Sequence, residues 1–598
     1  MSGRVAALAA VLVAGAAPGC AREEPSRSRA AEAPPPRNVL LISLDTTRAD
    51  SLAPYGAAEE RTPALARLAR EGIVFETAIA PVPLTLPSHA TLLTGLDPAR
   101  HSVRDNSAYT LPPSAVTLAE TLREAGWRTF AAIASVVLLP RFGLDQGFDR
   151  YDVEGLVVTT GPEHERQADA VANAALQLLP GPEPFFGFVH FYDPHRPYRA
   201  PAELERRFGD PYAAEVHLAD LAVGRLLDAL RAGGRLDRTI VVVTADHGES
   251  LGEHGESTHG MLVHDATQRV PLFVRLPGAA PRRVGGLVAA LADVMLTLLE
   301  LCGVSAPPGL DGRSLVPALR GAEMEPGDAY LESLYPRRAF DFAPLYGVRT
   351  LEWKLVLGAE PHLWRVGSDP GERWDVASDH PEVVEALTHR IHHLRDGRGE
   401  ALSAQEQQLT DEELQAFGGL GYVASLTGDD PDDEASGRPD PYRDIADAEE
   451  ASLATLLADQ GKHEAAIARL VPLARRLPGT SHVRHLLGAL YGERGEHEKA
   501  LAELLAAAKL RPRSPDVQLQ AALAAWFVKR PDLVRSHLEA ATSLPGCEPR
   551  AFVLLAETLV DAREPAAARA VLLRLLGRSD LSPEDRGAAQ AALRRLDG

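Results

Sequence analysis

Thr85, in Pro83-Leu84-Thr85-Leu86-Pro87-Ser88-His89, sets a hydroxyl beside a stretch that is about to become helical. Pro87 suits the first turn of a helix, where a missing N–H costs nothing, and Ala90 to Leu93 continue it, so Thr85 is expected just before the helix N-terminus. Free backbone N–H groups and the positive end of the helix dipole favour a tetrahedral oxyanion there, phosphate or sulfate. A threonine in that place also serves as a plain cap, so attack on such an anion needs further groups. Asp45 follows the apolar run Val39–Leu44, and Asp246-His247 follows Thr239–Ala245. Both runs read as buried parallel strands, and open α/β sheets bind ligands beyond the carboxyl ends of their strands. Two carboxylates, an imidazole and a hydroxyl make a metal shell, and a metal would stabilise the Thr85 alkoxide.

The elements that must position these groups are legible as an alternation of apolar strands and amphipathic helices from Asn38 to about Leu357. It runs through Ala64–Glu71, Val116–Ala125, Arg128–Ala134, Ala168–Leu179, Phe185–Phe191, Ala213–Arg231 and Thr239–Ala245. That pattern predicts a mainly parallel sheet covered on both faces. Tyr346–Thr350, Lys354–Leu357 and Leu363–Val366 read as short antiparallel strands, and Glu382–Leu394 as a closing helix.

Several motifs in this order resemble the sulfatases of the alkaline phosphatase superfamily: Asn38 to Asp50, Thr62-Pro63 through Gly95, Asp246 to Gly255, His259-Gly260, Arg269-Val270-Pro271 and Asp311 to Leu315. The resemblance covers about Asn38 to Asp379 and implies an α/β/α sandwich with a small C-terminal antiparallel sheet. It also implies one divalent metal held by Asp45, Thr85, Asp246 and His247. Sulfatases make a formylglycine nucleophile from the cysteine or serine of Cys-x-Pro-Ser-Arg, where this chain has Thr85-Leu86-Pro87-Ser88-His89. Threonine cannot yield that aldehyde, because its β-carbon already carries a methyl group, which leaves direct alkoxide attack by Thr85. Superfamily members that use threonine act on phosphodiesters, and Asn106 lies where one such family places an asparagine on the phosphoryl oxygen.

By the same resemblance His195, in Asp193-Pro194-His195, and His259, in place of a common lysine, contact the ester or serve its leaving group. His89 replaces the family arginine and is placed with the substrate contacts, as a holder of the nucleophile's neighbourhood or as packing. His254 is read as supporting or structural. Typical sulfatases bind calcium through oxygen alone. The imidazole of His247 favours zinc or manganese instead, with calcium the remaining choice. Asp193, His195 and His259 are considered for a second metal, but their Asp-x-His spacing is not that of the two-zinc phosphodiesterases, so one metal is expected.

The chain has 598 residues, 45% of them hydrophobic and 24% charged, which predicts a globular protein of more than one domain. A net charge of −21 without a basic run excludes a nucleic-acid polymer as partner. Residues 1–20 read as a lipoprotein-type signal peptide ending at Cys20, with a disordered tether over 21–37, so the protein is expected to be exported and lipid-anchored in the periplasm or cell envelope. Cys302 and Cys547 fall in different domains and read as buried or incidental thiols. The catalytic domain spans 38–425, and an acidic linker, expected to be a solvated spacer, spans 426–444.

Residues 445–598 repeat. Gly461, His463, Glu464, Ala466, Leu470 and Pro478 recur as Gly495, His497, Glu498, Ala500, Leu504 and Pro512. This resembles tetratricopeptide repeats and implies about four helix pairs in a solenoid that offers a concave surface to a protein partner. His463 and His497 are expected to be solvated turn residues. The expected function is a metal-dependent hydrolase or transferase of phosphate or sulfate esters, phosphodiesters favoured, with Thr85 as nucleophile. The alternative is an inactive sulfatase-like scaffold whose repeat array binds partners.

Overall fold

The computed structural model describes residues 38–106, 109–158, 165–406, 437–578 and 581–597. Cys20, the expected signal peptide and tether, and most of the expected acidic linker lie outside them. The strands of the main sheet are β1 (Asn38–Leu44), β2 (Ile73–Phe75), β3 (Arg128–Ala132), β4 (Arg150–Asp152), β5 (Phe185–Phe191), β6 (Thr239–Thr244), β7 (Leu272–Arg275) and β8 (Arg282–Val284). They form an 8-stranded sheet in the order β8-β2-β7-β6-β1-β5-β3-β4. The sheet is mixed: β1 pairs in parallel with both β5 and β6, whereas β7 runs antiparallel to β6 and β2.

β1 is apolar at nearly every position because both of its faces are covered. Val39 and Leu41 point into one core with Leu86, Ala90 and Leu93. Leu40, Ile42 and Leu44 point into another with Leu65, Val171 and Val223. The covering helices are α1 (Pro63–Glu71), α2 (Thr85–Thr94), α3 (Leu118–Glu124), α4 (Ala168–Leu178), α5 (Pro211–Ala232) and α6 (Asp293–Cys302). A short helix, α7 (Tyr335–Phe340), precedes the small sheet's last three strands.

That second sheet has four antiparallel strands: β9 (Ala329–Ser333), β10 (Leu345–Arg349), β11 (Lys354–Leu357) and β12 (Pro361–Trp364). Ile391 and Leu394 of α8 (Pro381–Asp396) cover it. β9 had no counterpart in the sequence reading. The expected solvated spacer is corrected over 437–444. Asp440 is 1% exposed and accepts a hydrogen bond from His362, and the Tyr442 ring lies 5.2 Å from that of Trp364.

The C-terminal region is a run of helix pairs: α9 (Ile445–Asp459) with α10 (His463–Arg476), α11 (Ser481–Glu493) with α12 (His497–Leu510), α13 (Pro515–Phe527) with α14 (Pro531–Ser543), and α15 (Pro549–Asp561) with α16 (Pro565–Leu576). A last helix, α17 (Pro583–Asp597), closes it. Ala466, Ala500 and Ala568 are all buried. A Cβ on Gly488 would lie 2.6 Å from Leu504 Cγ, so only glycine allows α11 and α12 to approach this closely. The repeated histidines open α10 and α12, each half-exposed: His463 lies 3.2 Å from Glu493, and His497 stacks on Phe527 at 4.4 Å. Cys302 and Cys547 are both free thiols.

Candidate functional site

β1 and β6 are neighbours in parallel, so their carboxyl ends deliver Asp45 and Asp246-His247 side by side. Helix α2 carries Thr85 to the same place. The helix begins at Thr85 itself, one residue earlier than its sequence suggests, with Leu84 as the N-cap. The Thr85 hydroxyl lies 3.5 Å from His247 Nε2. Around that nitrogen stand Asp246 Oδ2 at 3.6 Å and Asp45 Oδ1 at 3.9 Å. All four residues are completely buried.

The remaining atoms of these side chains are committed elsewhere. Asp246 Oδ1 accepts the backbone N–H groups of Thr46 (3.2 Å) and His247 (2.8 Å). His247 Nδ1–H donates to the Gly248 carbonyl at 2.9 Å, which fixes the tautomer with its lone pair on Nε2. Asp45 Oδ2 accepts from His190 Nε2–H at 3.2 Å. Asp45 Oδ1 and Asp246 Oδ2 are left as buried acceptors with no hydrogen-bond partner. Burial pushes the Asp45 carboxyl up to about 7, with Glu249 adding to the rise and His247 opposing it. Two unpaired buried oxygens and one aligned imidazole lone pair converging on a hydroxyl fit a divalent cation, because buried acceptors without a partner are costly. Asp45, Asp246, His247 and Thr85, the four residues expected from the sequence to act as ligands, are brought together here and are the ones that would hold it.

The backbone around Asp45 is held in an unusual shape. Thr46 has φ 47°, a left-handed value that a β-branched residue adopts only when its surroundings impose it. Tyr212 imposes it here, donating its O–H to the Thr46 carbonyl at 2.8 Å while accepting the Arg48 N–H at 3.0 Å.

Asn106 is set by one bond: its Oδ1 accepts the Leu86 N–H at 2.8 Å, at the start of α2. Its Nδ2 is a buried donor with no partner. His89 requires a correction. It is placed among the substrate contacts by sequence, yet both ring nitrogens are used internally. Nδ1–H donates to the Thr85 carbonyl at 2.8 Å, and Nε2 accepts from Ser43 Oγ at 2.8 Å. Burial lowers its pKa to about 3, so it stays neutral and supports the nucleophile's helix turn.

His195 and His259 lie on the other side of the cluster. The His259 ring is 4.6 Å from that of His247 and 5.1 Å from that of His195. His195 Nδ1–H donates to the Arg196 carbonyl at 2.5 Å. His259 Nδ1 shares a 3.0 Å hydrogen bond with Glu249 Oε1. Burial drives Glu249 up to about 8 and His259 down to about 4. The exposed Arg196 adds positive charge near both residues. Asp193 does not join His195 and His259; burial, and then the neighbouring Glu215 charge, hold its carboxyl well above the usual carboxylate range. His254 stacks on His264, with ring centres 3.6 Å apart.

Sequence reasoning missed His190 and Glu249. Glu249 stood inside a quoted motif without a role. His190 stands opposite Ser43 in the β1–β5 register, so its signal was a lone histidine one residue from the end of an otherwise apolar strand.

Residues 37–304 match the Sulfatase family profile, and residues 252–397 match the profile of N-sulphoglucosamine sulphohydrolase, C-terminal. Arylsulfatase K of Bos taurus is 31% identical over 192 residues, 30% of this chain and 35% of that protein. The chain thus spans about a third of the length of that relative. Arylsulfatase A of Homo sapiens is 27% identical over 443 residues, 59% of this chain and 86% of that protein. A solved 2-O GAG sulfatase shares the fold, with a TM-score of 0.52 at 21% identity over 62% of this chain and 95% of its own.

Proposed function

We propose that this chain, whose residues 37–397 match sulfatase-family profiles, is a metal-dependent hydrolase of phosphate or sulfate esters that uses Thr85 as its nucleophile, with phosphodiesters favoured. The observation that carries this is the convergence of the unpaired oxygens of Asp45 and Asp246 with His247 Nε2 beside the Thr85 hydroxyl. When bound, the cation supplies Lewis acidity that lowers the pKa of the hydroxyl and offsets charge on the ester. The nitrogen in this donor set favours zinc or manganese over calcium.

Thr85 Oγ1, having given up its proton to solvent, forms the bond to phosphorus or sulfur as the bond to the ester oxygen breaks. Asn106 Nδ2, aimed by the Leu86 N–H through its own carbonyl, donates to a non-bridging oxygen as charge builds there. His259 gives a proton from Nε2 to the departing alkoxide as Glu249 passes its own proton to Nδ1, with His195 beside it. His89 holds the Thr85 carbonyl, and so the first turn of α2, through the exchange. Water then attacks the threonine ester and passes its proton back to the imidazole pair. A plain hydroxyl nucleophile, with a buried amide donor for a non-bridging oxygen, supports phosphorus over sulfur.

The test is a panel of para-nitrophenyl diester, monoester and sulfate ester offered to chelated and metal-restored protein. Metal-dependent turnover, fastest on the diester, supports the proposal. Sulfate turned over fastest removes the phosphodiester preference. Metal without turnover favours the scaffold alternative.

The proposal extends to an exported, lipid-anchored form through Cys20, which labelling with a radioactive fatty acid tests. It also extends to a protein partner on a tetratricopeptide-like array. No described helix is long and apolar enough to cross a membrane.

A further inference from the structure

We infer that the helical array braces the active site, positioning His259 through Glu449 and Asn106 through Asp341, Arg338 and Asp105. The apolar core of the α/β domain does not stop at its boundary. One continuous cluster contains Leu86 and Leu93 of α2 together with Ile445 and Ala448 of α9, Leu470 of α10 and Leu487 of α11, whereas the later repeats pack in a separate cluster. The first three helices of the array, α9 to α11, are therefore built into the catalytic domain's core, and α12 begins the separate cluster.

Two polar braces run from this shared core to the site. In the first, Glu449 of α9 accepts the Ser257 N–H on Oε1 at 3.0 Å and the Ser257 O–H on Oε2 at 2.7 Å. Ser257 lies two residues before His259, in a loop closed by the Ser250 N–H donating to the Thr258 carbonyl at 2.7 Å. Ile445 packs on the same loop, its Cγ2 lying 3.1 Å from where a Cβ on Gly255 would be.

In the second, Asp341 caps the end of α7. Its Oδ2 accepts the Ser481 and His482 N–H groups at 2.7 and 3.4 Å, at the start of α11. Its Oδ1 accepts Arg511 Nε at 2.8 Å. Arg511, 1% exposed, also donates from Nη2 to the carbonyls of Arg337 and Arg338 at 3.3 and 3.0 Å, so the array satisfies the open C-terminal carbonyls of α7. From that helix Arg338 reaches back to pair with Asp105, the neighbour of Asn106. Near the N-terminal end of α7, Tyr335 packs on Gly260, next to His259; a Cβ there would meet its ring at 3.2 Å.

The two loops thus held carry Asn106 and His259, and their importance rests on the function proposed above. Asp45, Asp246 and His247 of the metal-binding cluster are held from β1 and β6 and do not depend on either brace. Hydrogen exchange of the full chain separates these roles. Glu449→Ala is expected to speed amide exchange at least tenfold over 252–262, with 38–47 and metal content unchanged, and Glu449→Gln to recover part of the protection. Asp341→Asn is expected to do the same over 335–342 and at the Asn106 loop. Trp526→Ala, on a later repeat, should move none of these segments. In turnover, Glu449→Ala should lower kcat most for esters with poor leaving groups and leave KM near wild type. Unchanged exchange at both loops in Glu449→Ala and Asp341→Asn overturns the brace, as does exchange raised evenly through the whole chain. A wild-type protein silent toward every ester overturns the proposed function instead, and the exchange data still decide the brace.

Discussion

Replacing Asn106 separates stability from catalysis because its two amide atoms do different work. Oδ1 satisfies the buried Leu86 N–H at 2.8 Å, and Nδ2 is the unpaired buried donor. Asn106→Ala removes both. Leaving the Leu86 N–H unsatisfied costs about 1–3 kcal/mol of stability, and losing one donor to the developing oxyanion costs about 2.7–4 kcal/mol of transition-state binding, a factor of about 10² to 10³ in kcat. Asn106→Asp keeps the acceptor for Leu86 and turns the donor into an oxygen that repels an anionic ester. It is expected to melt close to wild type and yet to lose at least as much activity as the alanine variant. The assay is steady-state turnover of the best ester in the panel, with thermal melts on the same preparations. An alanine variant with wild-type kcat/KM would refute the assignment of Nδ2 to the substrate. An aspartate variant that turns over as well as wild type would refute the sign of the charge it faces.

Other outcomes follow from the same geometry. Chelation should lower Tm and metal restore it, since a cation at about a hundredfold its Kd stabilises by about 2.7 kcal/mol; His247→Ala should bind metal more weakly by titration, and no change in either is the contrary result. His190→Phe removes the donor to Asp45 Oδ2 and should weaken metal binding about 10- to 100-fold, read by competition with a chromophoric chelator. His362 is clamped between Asp375 at 2.7 Å and Asp440 at 3.2 Å; burial alone would lower its pKa, but these bonds outweigh it and push it up to about 9. A raised imidazole binds more protons folded than unfolded, so its stabilisation is complete below about 6.5 and lost as pH rises through about 9. The Tm difference between wild type and His362→Gln should therefore shrink over that window, and a constant difference would contradict it.

The candidate metal cluster was legible because its carboxylates and imidazole sit where strands end. Val39–Leu44 and Thr239–Ala245 are too apolar to be anything but doubly covered strands, and parallel neighbours must bring Asp45 and Asp246-His247 together. His89 was misplaced because its role depends on an i to i−4 bond inside α2 and on Ser43 across the sheet, neither of which its own neighbours announce. His190 was invisible for a similar reason: only the register of β1 on β5 sets it under Asp45. The composition of 437–444 reads as solvated, yet Asp440 is buried against His362 and Tyr442 half-buried against Trp364, partners far away in the chain. The linkage of the array to the site had no sequence signal, since Glu449 and Arg511 look like ordinary surface charges on repeat helices.

Mass spectrometry of protein quenched during turnover tests the central claim most directly. The mechanism predicts a transient phosphoryl adduct on the peptide carrying Thr85, present with metal and absent after chelation or in Thr85→Ala. An adduct on any other residue, or undiminished turnover in Thr85→Ala, would contradict it.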